Sequence, residues 1–161
     1  MDNMDEKEYA LEWFRFAKMD LNSANYLLNM RPIPIEVICF HCQQSAEKCL
    51  KGFLVINKIR PPKNHDLIEL CQLCEPFVTD IKAILVQCNT LNRYGVQPRY
   101  PRELLLTEKD LSSAIKYAKD VLDYFRLIFP TSPTWRRQGD GTVDASGIVI
   151  LQDQNKGTNG D

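Results

Sequence analysis

The stretch from Glu36 to Leu54, EVICFHCQQSAEKCLKGFL, constrains the fold more than any other part of the chain. Val37/Ile38, Cys42, Cys49/Leu50 and Phe53/Leu54 recur at three- and four-residue steps, which is the spacing of one face of an α-helix. Gln43, Gln44, Glu47, Lys48 and Lys51 take much of the remainder. Pro34 falls near the first turn, where its missing donor costs nothing. Pro61 and Pro62 require the helix to stop near Asn57.

The same periodicity marks four further helices. Asp5 with Glu8 three residues later reads as an N-cap and its partner, followed by Tyr9, Trp13, Ala17, Asp20/Leu21, Ala24 and Leu27/Leu28 to about Asn29. Asn64 can cap a third helix with Leu67, Leu70, Cys71 and Cys74 inside, which Pro76 ends or kinks. Thr79 and Asp80 open a fourth series, Ile81, Ile84/Leu85, Cys88 and Leu91, with Gly95 at the position of a positive-φ C-cap. Thr107 with Asp110 opens the last helix, which carries Leu111, Ala114/Ile115, Ala118, Val121/Leu122, Phe125 and Ile128/Phe129 and is closed by Pro130. The stretch 96–106 holds Pro98 and Pro101 and reads as a loop. From Thr131 the character changes, because five of the seven glycines fall in the last 31 residues. The expected organisation is an all-α antiparallel up-and-down bundle of about five helices over residues 1–130. A Gly-rich extension, flexible or loosely docked, follows over 131–161, with a marginal hairpin conceivable at 144–147.

At 161 residues one core fits and two ordinary domains do not. A net charge of −1 argues against coating nucleic acid by bulk charge, while a local basic patch is still allowed. No run of about 18 apolar residues occurs and the first thirty residues lack an apolar signal core, so a cytoplasmic chain without a membrane span is expected.

With His65-Asp66-Leu67 and Arg99-Tyr100-Pro101 added, and the opening WFRFAKMDLNSANYLL, the segment 36–54 makes residues 8–129 resemble a HEPN domain. The resemblance implies a helical, nucleotide- or nucleic-acid-associated accessory module. It would be typically dimeric and paired with a minimal nucleotidyltransferase in a toxin–antitoxin-like couple. Any transfer chemistry would belong to the partner chain, since no nucleotidyltransferase motif is present. No cofactor is expected.

Several constellations could carry chemistry. Cys39-x-x-Cys42 and Cys71-x-x-Cys74 have the pairing of a four-thiolate zinc site, but both lie in helical apolar series, where cysteine packs as a small hydrophobe. Reduced, metal-free thiols are the expectation. Arg60-Pro-Pro-Lys-Asn-His65 spells the R-x4-H string of HEPN ribonucleases, in which the Arg would stabilise phosphorane charge and the His would do acid–base work. In those members the string lies near the start of the last long helix; here it lies between helices two and three, and two prolines make it a turn. A metal-independent ribonuclease using Arg60 and His65 is therefore the alternative. In the plainer reading, His65 and Asp66 merely begin helix three. His41, between the core stripe and the polar face, is expected to be hydrogen-bonded, and Asp20, in the apolar series of helix one, to be ion-paired.

The third constellation is electrostatic. Arg93 to Arg102 holds Arg93, Arg99 and Arg102 with Tyr94 and Tyr100 and no acid, and Asn57 to His65 supplies Lys58, Arg60 and Lys63. Guanidinium groups can hold phosphate while a tyrosine stacks a base. If helices three and four are separate antiparallel elements, these two loops share one end of the bundle. The expected nucleotide or RNA site is thus Lys58, Arg60, Lys63, Arg93, Arg99, Tyr100 and Arg102. The competing structural reading has Tyr100 plugging the bundle and the arginines solvated, in a protein whose business is oligomerisation. A homodimer through long helices is expected, because Tyr9, Trp13, Phe14 and Phe16 spread around helix one.

Overall fold

A computed structural model of the chain describes residues 5–95 and 105–128. Five α-helices account for most of them: α1 Glu6–Leu27, α2 Ile35–Ile56, α3 Leu67–Cys74, α4 Leu85–Asn92 and α5 Glu108–Ile128. Short 3-10 turns occupy Glu75–Phe77, Ile81–Ile84 and Arg93–Gly95. The described residues contain no strand, and none of their helices is long and apolar enough to cross a membrane.

The periodic face of residues 36–54 makes α2 the central helix, and each of the other four packs against it. Ile38, Cys42, Cys49, Leu50 and Leu54 are fully buried. Phe53 meets Phe125 of α5 with ring centroids 5.4 Å apart. Toward α1 the approach is closer, because Gly52 has no side chain. A Cβ built there would lie 2.9 Å from Cβ of Trp13 and 3.3 Å from the carbonyl oxygen of Ala10. Further along the same interface Ser45 Oγ donates to the Ala17 carbonyl at 2.8 Å.

The C-terminus of α2 is closed by a left-handed turn. Ile59 N–H donates to Leu54 O and Lys58 N–H to Val55 O, each at 2.9 Å, with Lys58 at φ 63°. This pair of bonds is the Schellman pattern, with Lys58 at the position glycine usually takes. The connection then turns back along α2, so that α3 begins beside the middle of α2 and Cys74 Sγ reaches Leu50 O at 3.7 Å.

Several expectations are corrected in this part of the chain. Asp66, not Asn64, caps α3, accepting from the N–H groups of Ile68 and Glu69, while Asn64 turns to the Glu69 side chain. The fourth series is not one helix: Ile81–Ile84 is a 3-10 turn and only Leu85–Asn92 is α-helical. Gly95 lies in a 3-10 turn without positive φ, and a Cβ built there would lie 3.2 Å from the Gln43 side chain, for which the glycine leaves room. At the N-terminus of α1, Asp5 accepts from Lys7 N–H. The last helix starts as its sequence indicates, with Asp110 Oδ2 accepting from both the N–H and the hydroxyl of Thr107. Pro130, the 131–161 extension and the hairpin at 144–147 lie outside the described residues.

Candidate functional site

The polar side of α2 is not a solvated face. Gln43, Glu47 and Lys51 are 0%, 4% and 6% exposed: His65 of the returning connection lies against Gln43 and Glu47, and the Trp13 ring of α1 lies 6.0 Å from Lys51 Nζ. A carboxylate this deep must have its lone pairs filled. Oε1 of Glu47 accepts from Lys51 Nζ at 2.8 Å and faces His65 Nδ1 at 2.9 Å. Oε2 accepts from the amides of Gln43 and Gln44, each at 3.2 Å. Burial alone would raise the Glu47 carboxyl, but the hydrogen bonds from Lys51, His65 and Gln43 and the charge of Lys51 outweigh it and hold it below the usual carboxylate range. To donate to Glu47, His65 must carry its proton on Nδ1, which in the neutral ring leaves Nε2 as the acceptor. The His65 side chain is 59% exposed.

Gln43 connects this network to the second basic segment. Its amide also donates to the His65 carbonyl at 3.2 Å, and Gly95 packs on the same side chain. Asn92 strengthens the connection: its Oδ1 accepts from Leu67 N–H at 2.9 Å and its Nδ2 donates to Asp66 at 3.1 Å. The beginning of α3 and the end of α4 are thus held together. Tyr94 is fully buried and its hydroxyl donates to Asp110 Oδ1 at 3.1 Å, which pins the residues flanking 96–104 to each other. Burial, and after it the Asp110 charge, pushes the Tyr94 phenol up. Tyr94 is therefore a core residue and is withdrawn from any stacking surface.

Among the expected binding residues, Lys58, Arg60, Lys63 and Arg93 are all exposed, with the Arg93 guanidinium 6.0 Å from the Tyr94 ring centroid. Arg99, Tyr100 and Arg102 lie outside the described residues. Asp20 is ion-paired as expected, receiving Lys48 Nζ on one oxygen and facing His41 Nδ1 at 2.9 Å on the other. His41 is the hydrogen-bonded histidine its position suggested.

All six cysteines are buried free thiols. Burial pushes Cys39 and Cys74 up to about 12, whereas the hydrogen bond with Cys88 lowers Cys71. Among the described residues no group of three or more His, Cys, Asp and Glu side chains is arranged to hold a metal ion. The sequence reading missed Glu47, Lys51, Gln43 and Asn92. A Glu–Lys pair four residues apart looks like an ordinary surface pair, and the only signal against that was its place inside the most apolar of the three long helices.

Comparison with known proteins agrees with this architecture. A family model described as the HEPN domain matches residues 10–128. A protein of Methanocaldococcus jannaschii named "Putative toxin MJ1304" is 24% identical over 134 residues, covering 74% of this chain and 87% of that protein. The crystal structure of ST0689, an archaeal HEPN homologue, aligns with a TM-score of 0.59 at 26% identity, over 74% of this chain and 96% of the other.

Proposed function

The chain belongs to the HEPN family, and on that premise we propose that it is the helical member of a toxin–antitoxin-like pair. It binds nucleotide or RNA through its basic segments and acts as a homodimer beside a minimal nucleotidyltransferase. The observation that carries the binding reading is the buried Gln43 side chain, which touches both His65 and Gly95. The end of the connection that carries Lys58, Arg60 and Lys63 therefore lies beside the end of α4, next to Arg93. Exposed cations on either side of such a junction are what phosphate recognition uses. The name of the M. jannaschii relative supports the pairing with an antagonist.

The test is binding of a short single-stranded RNA and of ATP by the full chain. Arg99→Ala and Arg102→Ala weaken binding, with a smaller salt slope, since each lost phosphate contact releases fewer counterions. Tyr100→Ala weakens it with little change in that slope if a base stacks there. Binding unchanged in all three variants would sink the reading and leave the helical bundle as an oligomerisation protein.

A second reading has its own observation. His65, five residues after Arg60, is held through Nδ1 by a buried carboxylate while its side chain stays 59% exposed, as a general acid–base group would be. RNA cut by the wild type in EDTA and left intact by His65→Ala would establish the metal-independent ribonuclease over binding alone.

A further inference from the structure

Along the outer side of α1 the residues Tyr9, Glu12, Phe16, Met19, Ser23 and Tyr26 follow one another at alternating steps of three and four. That is the a/d spacing of a coiled-coil seam. Met30, the next step, continues the line just past the helix. These positions face away from the core: Tyr9, Phe16, Met19, Tyr26 and Met30 are 45%, 44%, 47%, 66% and 53% exposed. The fully buried residues of α1, Ala10, Ala17, Leu21 and Ala24, lie on a different face. A helix that already buries one face does not need a second apolar stripe for its own fold.

The stripe is nearly symmetric about the midpoint between Ala17 and Lys18. We infer that α1 is the contact surface of the homodimer proposed above, on which this inference rests, and that it pairs with α1 of a second copy in antiparallel register about that point. Tyr9 then meets Tyr26 of the other copy, Phe16 meets Met19, and Glu12 meets Ser23. Each layer joins an a position to a d position, as antiparallel packing of two such seams requires. Charge selects this arrangement. Its only seam acid faces a hydroxyl, whereas parallel in-register pairing would set Glu12 against Glu12 away from bulk water. Beside the seam, Arg15 lies over the Phe16 ring at 4.7 Å and bonds Glu12.

Sedimentation equilibrium of the full chain at micromolar concentration, without RNA or partner, reads the stoichiometry. The wild type is expected to be dimeric. Phe16→Glu and Met19→Lys, both at exposed positions, are each expected to weaken the dimer at least tenfold with unchanged helicity by circular dichroism. The register is read by oxidation with copper–phenanthroline. The double variant Glu12→Cys/Ser23→Cys should give a covalent dimer and neither single variant should, since the six native thiols are buried. A dimer indifferent to Phe16→Glu and Met19→Lys would overturn this surface while leaving the homodimer standing. Covalent dimers from the single variants would overturn the antiparallel register. A monomeric wild type would overturn the surface and the homodimer together.

Discussion

His65 Nδ1 lies 2.9 Å from Oε1 of Glu47, a carboxylate eighteen residues earlier on the central helix. Through that contact the returning connection is fastened to α2, and a charge pair that periodicity alone would place in solvent is enclosed. The pair has the energetics of an interior one. Its two charges lost their hydration on folding, and each is tolerated only while the other is present.

Removing one partner should therefore cost far more than removing both. Glu47→Ala strands the Lys51 ammonium and is expected to lower unfolding free energy by about 3–5 kcal/mol in urea titrations. The double variant Glu47→Leu/Lys51→Met is expected to be less destabilised than Glu47→Ala. Additive losses would show that the pair is not an enclosed unit.

The acid limb of the stability curve carries the same signature. Because the Glu47 carboxyl is held below its ordinary value of 4.5 in the folded state, the unfolded chain takes up its proton first as pH falls. The contribution is complete above about pH 4.5 and is lost as pH drops through the lower native value. Asp110, held down by the Thr107 N–H, adds to the same limb. Melting temperature measured from pH 6 to 3 should fall less steeply in Glu47→Gln than in the wild type.

At Gly52 a methyl group would sit 2.9 Å from Trp13 Cβ. Gly52→Ala adds helix propensity yet should lose about 1–3 kcal/mol, because it forces α1 and α2 apart. A thermal shift upward in this variant would mean the two helices can separate without loss.

Lys58 gives the opposite sign. Its φ of 63° costs an L-residue about 1 kcal/mol that glycine avoids. Lys58→Gly should raise stability by up to about that amount while removing one cation from the basic segment. Gaining stability and losing RNA affinity in one variant would separate the two roles of this residue.

The thiols should be silent in the native protein. With all six thiols buried, a thiol-reactive disulfide at pH 7.5 should label slowly, and all six should react in guanidinium. Rapid labelling of one native cysteine, or one zinc recovered per chain, would contradict this.

The long helices were legible because period and punctuation agree there. In α2 the apolar steps end ahead of two prolines, and in α5 Thr107 and Asp110 form the cap their order suggests. Between 64 and 95 the same logic misplaces details for physical reasons. Asn64 and Asp66 are both good caps, and only the lie of the backbone gives the helix to Asp66. The steps from Ile81 to Leu91 suit an α-helix and a 3-10 turn equally, so the break at Ile84/Leu85 leaves no mark in the apolar pattern. Around the site, that Asp20 would be paired could be read directly, while its partners Lys48 and His41 could not. The Glu47 network could not, because its burial depends on where the chain travels nine residues after α2 has ended.

The division of the bundle into long and short pieces has a consequence for its motions. The amides of α2, enclosed by four neighbours, should exchange with deuterium only through global unfolding. Those of α3 and α4, two-turn helices that run into 3-10 turns, should open through smaller fluctuations. Asn92, Gln43 and His65 sit at the boundary of the two regimes. A ligand that closed over them would slow exchange in α3 and α4 and leave the rest of the protein unchanged.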